Sequence, residues 1–495
     1  MQQSFFSRCA PIVGAVVLIF TVIGCRPSKD GSSTGNTAVA KNDNVRIAKE
    51  TTRITEPLDE SGYVDYLGAV SRAQMDGVDP GDNFAVVLWE MLDPQIVQPA
   101  DREAFFSPMA FDFSERGGAR MPRLASPRGR SETASLLAGP VAPWKPSQRP
   151  TVAALLARNG RQLEYAARQL KRSRFRQPYV GQAQPSMIRT PLYGIIEMKY
   201  LGRMFAIRAM LHLGSGEVEP AVDDALACQR IGWYLLQRET AIELSIGYEV
   251  ALWSAEAARR LLEDGRLAGD QARRLFEGLV VSPIAPRLGE VLDRATRWSA
   301  LEIAQLAARC AQSPGHYSPD VNPLPTWAFA MPIDFNESLK MINQWYDRGV
   351  AALRSSSHED VLRQIDQLYR DLDKLKQQAG KPADLAPGVI GRRLGEIWVV
   401  HHFINMRQLY LRQVEAVTRC RMAVTAAAAL VYKAENGSFP MSTAQLAERM
   451  ASPEYLVEPQ SGKPFVLTVV DNGLRIAGSA PESDRPMTIT LKPDR

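Results

Sequence analysis

Arg208-Ala209-Met210-Leu211-His212-Leu213-Gly214-Ser215-Gly216-Glu217-Val218-Glu219-Pro220-Ala221 is the stretch on which the fold turns. The apolar residues before Gly214 recur at helical spacing, and Gly214-Ser215-Gly216 interrupts them as a turn. Pro220 stands in the first turn of the next helix, where its missing N–H costs little. The stretch therefore reads as one helical hairpin. Working outward, the same pattern of threes and fours runs from Thr151 to about Gly437, with Gly and Pro clusters as punctuation. It predicts helices over 150–173, 190–213, 219–236, 239–263, 269–280, 287–311, 335–354, 357–379 and 396–434. Two breaks are long: Gln312 to Asp334, which holds five prolines, and Gly380 to Gly391. The first is expected to be an ordered excursion or a domain seam.

After residue 434 the period changes. Glu435-Asn436-Gly437 supplies a left-handed cap, and a short helix is expected over Thr443 to Met450. Strand-like runs follow at Pro464–Val470, Leu474–Gly478 and Met487–Leu491, with Asp471-Asn472-Gly473 as a hairpin signal. The fold class is thus mainly α, in stacked helical hairpins, with a small C-terminal α+β module: a long helix plus an antiparallel three-stranded meander. The hairpin around Gly214 resembles a tetratricopeptide repeat, with small residues at Ala209, Gly216, Ala221 and Cys228 where that repeat's helices cross. An ordinary hairpin using small residues is the alternative. Only one repeat matches cleanly, whereas a stable array needs about three.

The terminal module resembles the globular half of type II secretion pseudopilins. The residues that carry the resemblance are Tyr432…Asn436-Gly437-Ser438-Phe439-Pro440 and Glu458-Pro459-Gln460-Ser461-Gly462-Lys463-Pro464. Pseudopilins place this module behind an N-terminal polymerising helix, which is not its position here, so pilus assembly is not implied. Near Ser479 to Arg485, where some relatives hold calcium, Glu482 and Asp484 are the only carboxylates, and no calcium is expected.

At the other end, Val22-Ile23-Gly24-Cys25 closes an apolar run from Ala10 and precedes a polar tail. This resembles the lipobox of bacterial lipoproteins. The resemblance implies cleavage before Cys25, acylation of its thiol and a signal peptide over 1–24. A secretory signal or short anchor with an incidental cysteine is the alternative. Arg26 replaces the aspartate of the inner-membrane retention signal, so the periplasmic side of the outer membrane is favoured. Residues 25–50 read as a flexible tether, since Arg26 to Asn44 is almost devoid of apolar side chains. The stretch Thr55 to Tyr66 resembles the opening of a family of planctomycete-type envelope proteins that share Thr-Glu-Pro-Leu…Gly-Tyr-Val-Asp-Tyr. That family carries no assigned activity.

The remaining divisions are a small helical region over 51–110, a basic Pro/Gly/Arg-rich loop over 111–150, a helical-hairpin domain over 151–395, and the long helix with its module over 396–495. In the first of these, helices are expected up to Met75 and from Asp82 to Asp93-Pro94. The net charge of +5 hides an asymmetry: Glu115 to Arg176 carries fourteen Lys/Arg and three acids, a net +11, leaving −6 elsewhere. Arg158, Arg161, Arg168, Lys171, Arg172 and Arg174 lie along an expected helix and are candidates for contact with an anionic lipid or polymer surface. A solvated loop and helix face is the plainer reading. Nucleic acid is not expected, because no aromatic/basic motif accompanies the charge.

Chemistry is hard to find. The Gly-x-Ser-x-Gly spacing occurs at Gly31-Ser32-Ser33-Thr34-Gly35, in the polar tail and without the strand and helix a nucleophile elbow needs, and neither a Ser-x-x-Lys nor a phosphate-cradling glycine loop is present. Beyond Cys9 and Cys25, the cysteines are Cys228, Cys310 and Cys420, which allow at most one disulfide and form no zinc spacing. His401-His402 are helix neighbours about 100° apart and cannot grip one metal. His358 belongs to a capped helix start after Ser355-Ser356-Ser357, and His212 is expected to pack. Asp223-Asp224 is a commonplace adjacent pair. No catalytic residue, metal or cofactor is therefore assigned. The expected function is that of a lipid-anchored envelope protein acting as a non-enzymatic binding scaffold for a protein partner. The alternatives are an envelope hydrolase acting on glycan or peptide, and an accessory of a type II secretion-like system.

Overall fold

The computed structural model describes residues 41–113, 141–181, 186–312, 331–379, 386–450, 452–471, 473–479 and 487–492. The chain divides after Ala40, and every described residue belongs to the unit Lys41–Arg495. Lys41 to Glu50, expected within the tether, is instead packed down. Val45 is buried, Asn44 donates to the Ala308 carbonyl at 3.1 Å, and the Arg46 N–H donates to Asn336 at 2.8 Å. Side-chain hydrogen bonds to distant helices, which composition does not report, dock this segment.

The Thr55–Tyr66 stretch explains itself as a clasp. Gln305 takes the Val64 N–H at 3.0 Å and returns a donor to the Val64 carbonyl at 3.2 Å. Tyr63 and Tyr66 are fully buried, and the Tyr66 hydroxyl donates to the Thr52 carbonyl. Asp65 caps α1 (Tyr66–Met75). Helix α2 (Phe84–Met91) is capped by Asn83 rather than opened by Asp82. Asp82 accepts the Ser173 N–H at 2.7 Å instead. A short α3 (Arg102–Phe106) buries Phe105 and Phe106 edge-on against Trp89.

The spacing predicts one helix over 150–173, but there are two, α4 (Pro150–Arg158) and α5 (Gly160–Gln169). They part at buried Asn159, whose side chain donates back to the Leu155 carbonyl and competes with the helical ladder. The hairpin is α6 (Ile195–Ser215) and α7 (Val218–Leu235), with Gly216 in the left-handed region. Ala209, Ala221 and Cys228 are fully buried. Gly214 answers a different need. A Cβ there would stand 2.2 Å from the Trp144 carbonyl oxygen, because the Trp144 segment lies against this turn with its N–H on Met210 and its indole on Ile207.

Next come α8 (Ala241–Asp264), α9 (Gly269–Val281) and α10 (Leu288–Val291). A π turn, Leu292–Thr296, follows and leads into α11 (Arg297–Gln312), so the expected 287–311 helix is not uniform. Helices α12 (Phe335–Leu353) and α13 (His358–Ala379) stand near their expected limits, and Ser357 caps α13. The expected helix 396–434 is two: α14 (Pro387–His402) and α15 (Met406–Asn436), broken at Phe403-Ile404-Asn405 with Asn405 capping the second. Gly391, placed in a loop by its neighbours, lies inside α14. A Cβ there would fall 1.9 Å from the Asp334 carbonyl oxygen, so glycine is what lets α14 close on the start of α12.

Two hydrophobic clusters fill this body. One gathers α2 to α7, α9, the C-terminal half of α15 and the terminal sheet. The other gathers the N-terminal segment, α1 and α10 to α14 with the first half of α15. Helix α8 contributes Leu244, Tyr248 and Ala255 to the second and Ala257, Leu261 and Leu262 to the first. A boundary at 395/396 therefore cuts α14, and α15 runs through both cores.

The terminal module has α16 (Ala444–Ala447), then β1 (Val466–Val470), β2 (Gly473–Ala477) and β3 (Thr488–Leu491). The sheet is antiparallel in the order β1-β2-β3, with Val470 opposite Gly473 across the hairpin and Asp471 at positive φ. Leu474, Ile476, Ile489 and Leu491 form its buried face, and β3 lies against α8 and α15.

Candidate cleft between α9, α15 and the terminal module

Helix α9 crosses the alanine-rich half of α15, where Ala423 and Ala426 to Ala429 are all buried. Small side chains let the helices approach closely and leave a groove beside them. That groove is an open cleft of about 220 Å³ lined by Arg273, Phe276, Glu277, Ala428, Val431 and Arg449. Its floor is apolar, and its rim is two guanidiniums and a carboxylate. Arg273, from α9, and Arg449, just after α16, both hydrogen-bond Glu435 near the end of α15. The bond from Arg273, with that from Arg449, holds the Glu435 carboxyl below its ordinary range. Arg449 also lies 5.4 Å over the Tyr432 ring, whose hydroxyl takes a hydrogen bond from Gln445. Two guanidiniums sharing one carboxylate retain N–H donors that it does not take up. Such a rim suits a partner's acidic side chain, with an apolar neighbour on half-buried Phe276.

The residues singled out from the sequence are scattered elsewhere. Cys25 lies outside the described residues, as do residues 114–140 of the basic loop, residues 313–330 of the proline-rich excursion, and Glu482 and Asp484. Arg158, Arg161, Arg168, Lys171 and Arg174 are exposed. Arg172 is not free for a surface. Its guanidinium donates to the Pro80 and Asn83 carbonyls at 3.1 and 3.2 Å and pins the α5 end to the N-terminal region.

His212 does more than pack. It stands between two carboxylates, with Nδ1 on Glu217 and Nε2 3.7 Å from Asp224. Arg208 grips Asp224 through both oxygens, at 2.6 and 2.7 Å, while Asp223 pairs with Arg274. The adjacent aspartates thus serve different arginines. His358 stacks on Tyr410 and meets its hydroxyl at 3.0 Å, and burial pulls the imidazole below its ordinary range. His401 and His402 are exposed at the end of α14. Cys228, Cys310 and Cys420 are buried free thiols. Among the described residues no group of three His, Cys, Asp or Glu side chains could hold a metal ion, and no helix is long and apolar enough to cross a membrane.

Sequence reasoning missed the cleft. Arg273 and Glu435 are separated by 162 positions, and no local motif marks either. The alanine run of α15 was the one available signal, since it announces a close helix neighbour without naming it.

Comparison with known proteins finds no matching family model, no matching curated protein and no matching solved structure.

Proposed function

We propose that this chain is a lipid-anchored protein of the cell envelope, held by acylated Cys25, that works as a non-enzymatic scaffold and takes a protein partner at the α9–α15 cleft. One observation carries the reading: a shallow cleft presents half-buried Phe276 over buried Ala428 and Val431, rimmed by Arg273 and Arg449, with a single carboxylate, Glu277, among its lining residues. Hydrolytic sites bring an acid and a base, or a nucleophile and a base, to one reacting atom. Arginine beside an apolar floor is instead what the centre of a protein interface uses. The succession of long helix, short helix and three-stranded meander supports a second reading, an accessory of a type II secretion-like system.

A photo-crosslinking residue in place of Phe276 tests the cleft in intact envelopes. The expected result is a discrete adduct that disappears when Arg273→Glu and Arg449→Glu are combined, while helicity is unchanged. An adduct that persists in that double variant, or none from Phe276, overturns the assignment.

A further inference from the structure

Many arginines of the helical body face a carboxylate. Arg260 meets Glu256 at 3.0 Å, Arg393 meets Glu396 at 2.8 Å, Arg407 meets Asp366 at 3.0 Å and Arg419 meets Glu415 at 2.8 Å. Arg348 and Arg363 pair with Asp371 and Asp360. Exposed Arg72, Arg370 and Arg475 have no ion pair among the described residues, and neither does a run of cations along and just after α5. Arg161, Arg168, Lys171 and Arg174 are exposed, and none has an ion pair among the described residues. Asp82 feels the charge of Arg174, but the hydrogen bonds of that carboxylate go to Ser173. Arg161 and Arg168 are two turns apart and so share a face of α5, opposite buried Leu163 and Ala166. Lys171 and Arg174 follow in the chain just past the helix end, where the backbone of Arg174 is bridged to Asn83. Glu164, the only acid on α5, is exposed and lies on that same face, three residues after Arg161 and four before Arg168, so the four cations with Glu164 carry a net +3. The run is held rigidly, because Arg172 and the Arg230 and Tyr234 side chains that bond the Arg172 carbonyl fasten the same turn to the body.

We propose that Arg161, Arg168, Lys171 and Arg174 form a contact surface for an anionic bilayer. This rests on the reading of Cys25 as the lipidated residue. Cations left without carboxylate partners on a fixed scaffold match a surface of negative headgroups. The tether chooses the bilayer over a soluble polymer. About 16 residues separate Cys25 from the packed segment at Lys41, a reach of ~55 Å when fully extended. An anchored body is thereby kept at high local concentration against its own membrane. Each basic side chain at such a surface strengthens partitioning about fivefold, and the effect is screened by salt.

The test is vesicle flotation of the full chain carrying Cys25→Ala, with neutral phosphatidylcholine vesicles beside vesicles containing one-third phosphatidylglycerol. The expected result is a preference for the anionic vesicles at low salt that raised salt removes. The combined variant R161Q/R168Q/K171Q/R174Q should lose on the order of several hundredfold of that preference. A matched variant of paired arginines, R260Q/R348Q/R363Q/R407Q, should keep it. No preference for anionic vesicles, equal loss in both variants, or retention by an acidic polymer alone overturns the proposal. Mass analysis of the wild-type chain separates the two readings: acylated Cys25 without vesicle preference sinks the surface and leaves the anchor standing.

Discussion

The ionisation of Glu302 on α11 bears directly on stability. One of its oxygens accepts both the Ser186 hydroxyl at 2.8 Å and the Met187 N–H at 2.7 Å. Burial pushes its carboxyl up to about 7, against the downward pull of those bonds and of Arg309, with Asp65 adding a little upward. An unfolded glutamate titrates near ~4.3, so the folded state holds this proton more tightly. The resulting stabilisation is fully present below about pH 4 and is lost as the pH rises towards about 7. Glu302→Gln keeps an acceptor and removes the titration. Urea midpoints should therefore fall less between about pH 5 and pH 8 for the variant than for wild type, a difference of about 1–3 kcal/mol. Equal pH dependence would refute the assignment. Nothing in the sequence marks Glu302, which reads as one more exposed acid on a helix. Caps are more legible at this scale. Asp65 and Ser357 announce their helices through local hydrogen bonds, whereas Gly214 and Gly391 are glycine because of Trp144 and Asp334, which no local rule can identify.

At the scale of elements, the corner between α7 and α8 is the most constrained joint. Arg238 and Glu243, both fully buried, pair at 2.8 Å. Arg238 also donates to Gln74 and to the Gln177 carbonyl, and Glu243 accepts from the Tyr179 hydroxyl at 2.6 Å while closing the Thr240 capping box. Burying such a pair gains little by itself, but removing one partner strands the other. Arg238→Ala should cost about 3–5 kcal/mol in chemical denaturation, more than Thr240→Ala at about 1 kcal/mol. Similar losses for the two would contradict this view of the joint. Elements whose signals are local are legible in the sequence: the β1–β2 hairpin from Asp471-Asn472-Gly473, and α6–α7 from its glycine turn. The breaks at Asn159 and at Phe403-Ile404-Asn405, and the π turn at Leu292–Thr296, are not, because side-chain bonding and packing impose them on sequences that are helical in pattern.

Across the whole molecule, α8 and α15 contribute to both cores and stitch them into one body, and the division expected from the helical pattern at 395/396 falls inside α14. The packed segment from Lys41 fixes where a tether would leave the body, beside Asn42 and its bonds to Val45 and Gly62. The cleft at Arg273 and Arg449 and the cations along α5 are surfaces of this body, and the roles proposed for them are those of a body held at a membrane. Attachment through Cys25 is therefore the claim on which the account depends. Its most direct test is intact-mass and N-terminal peptide analysis of the protein recovered from envelope membranes. The account predicts a chain that begins at Cys25 and bears a diacylglyceryl group on its thiol. A chain that retains Met1, or one that begins elsewhere with Cys25 unmodified, would contradict it.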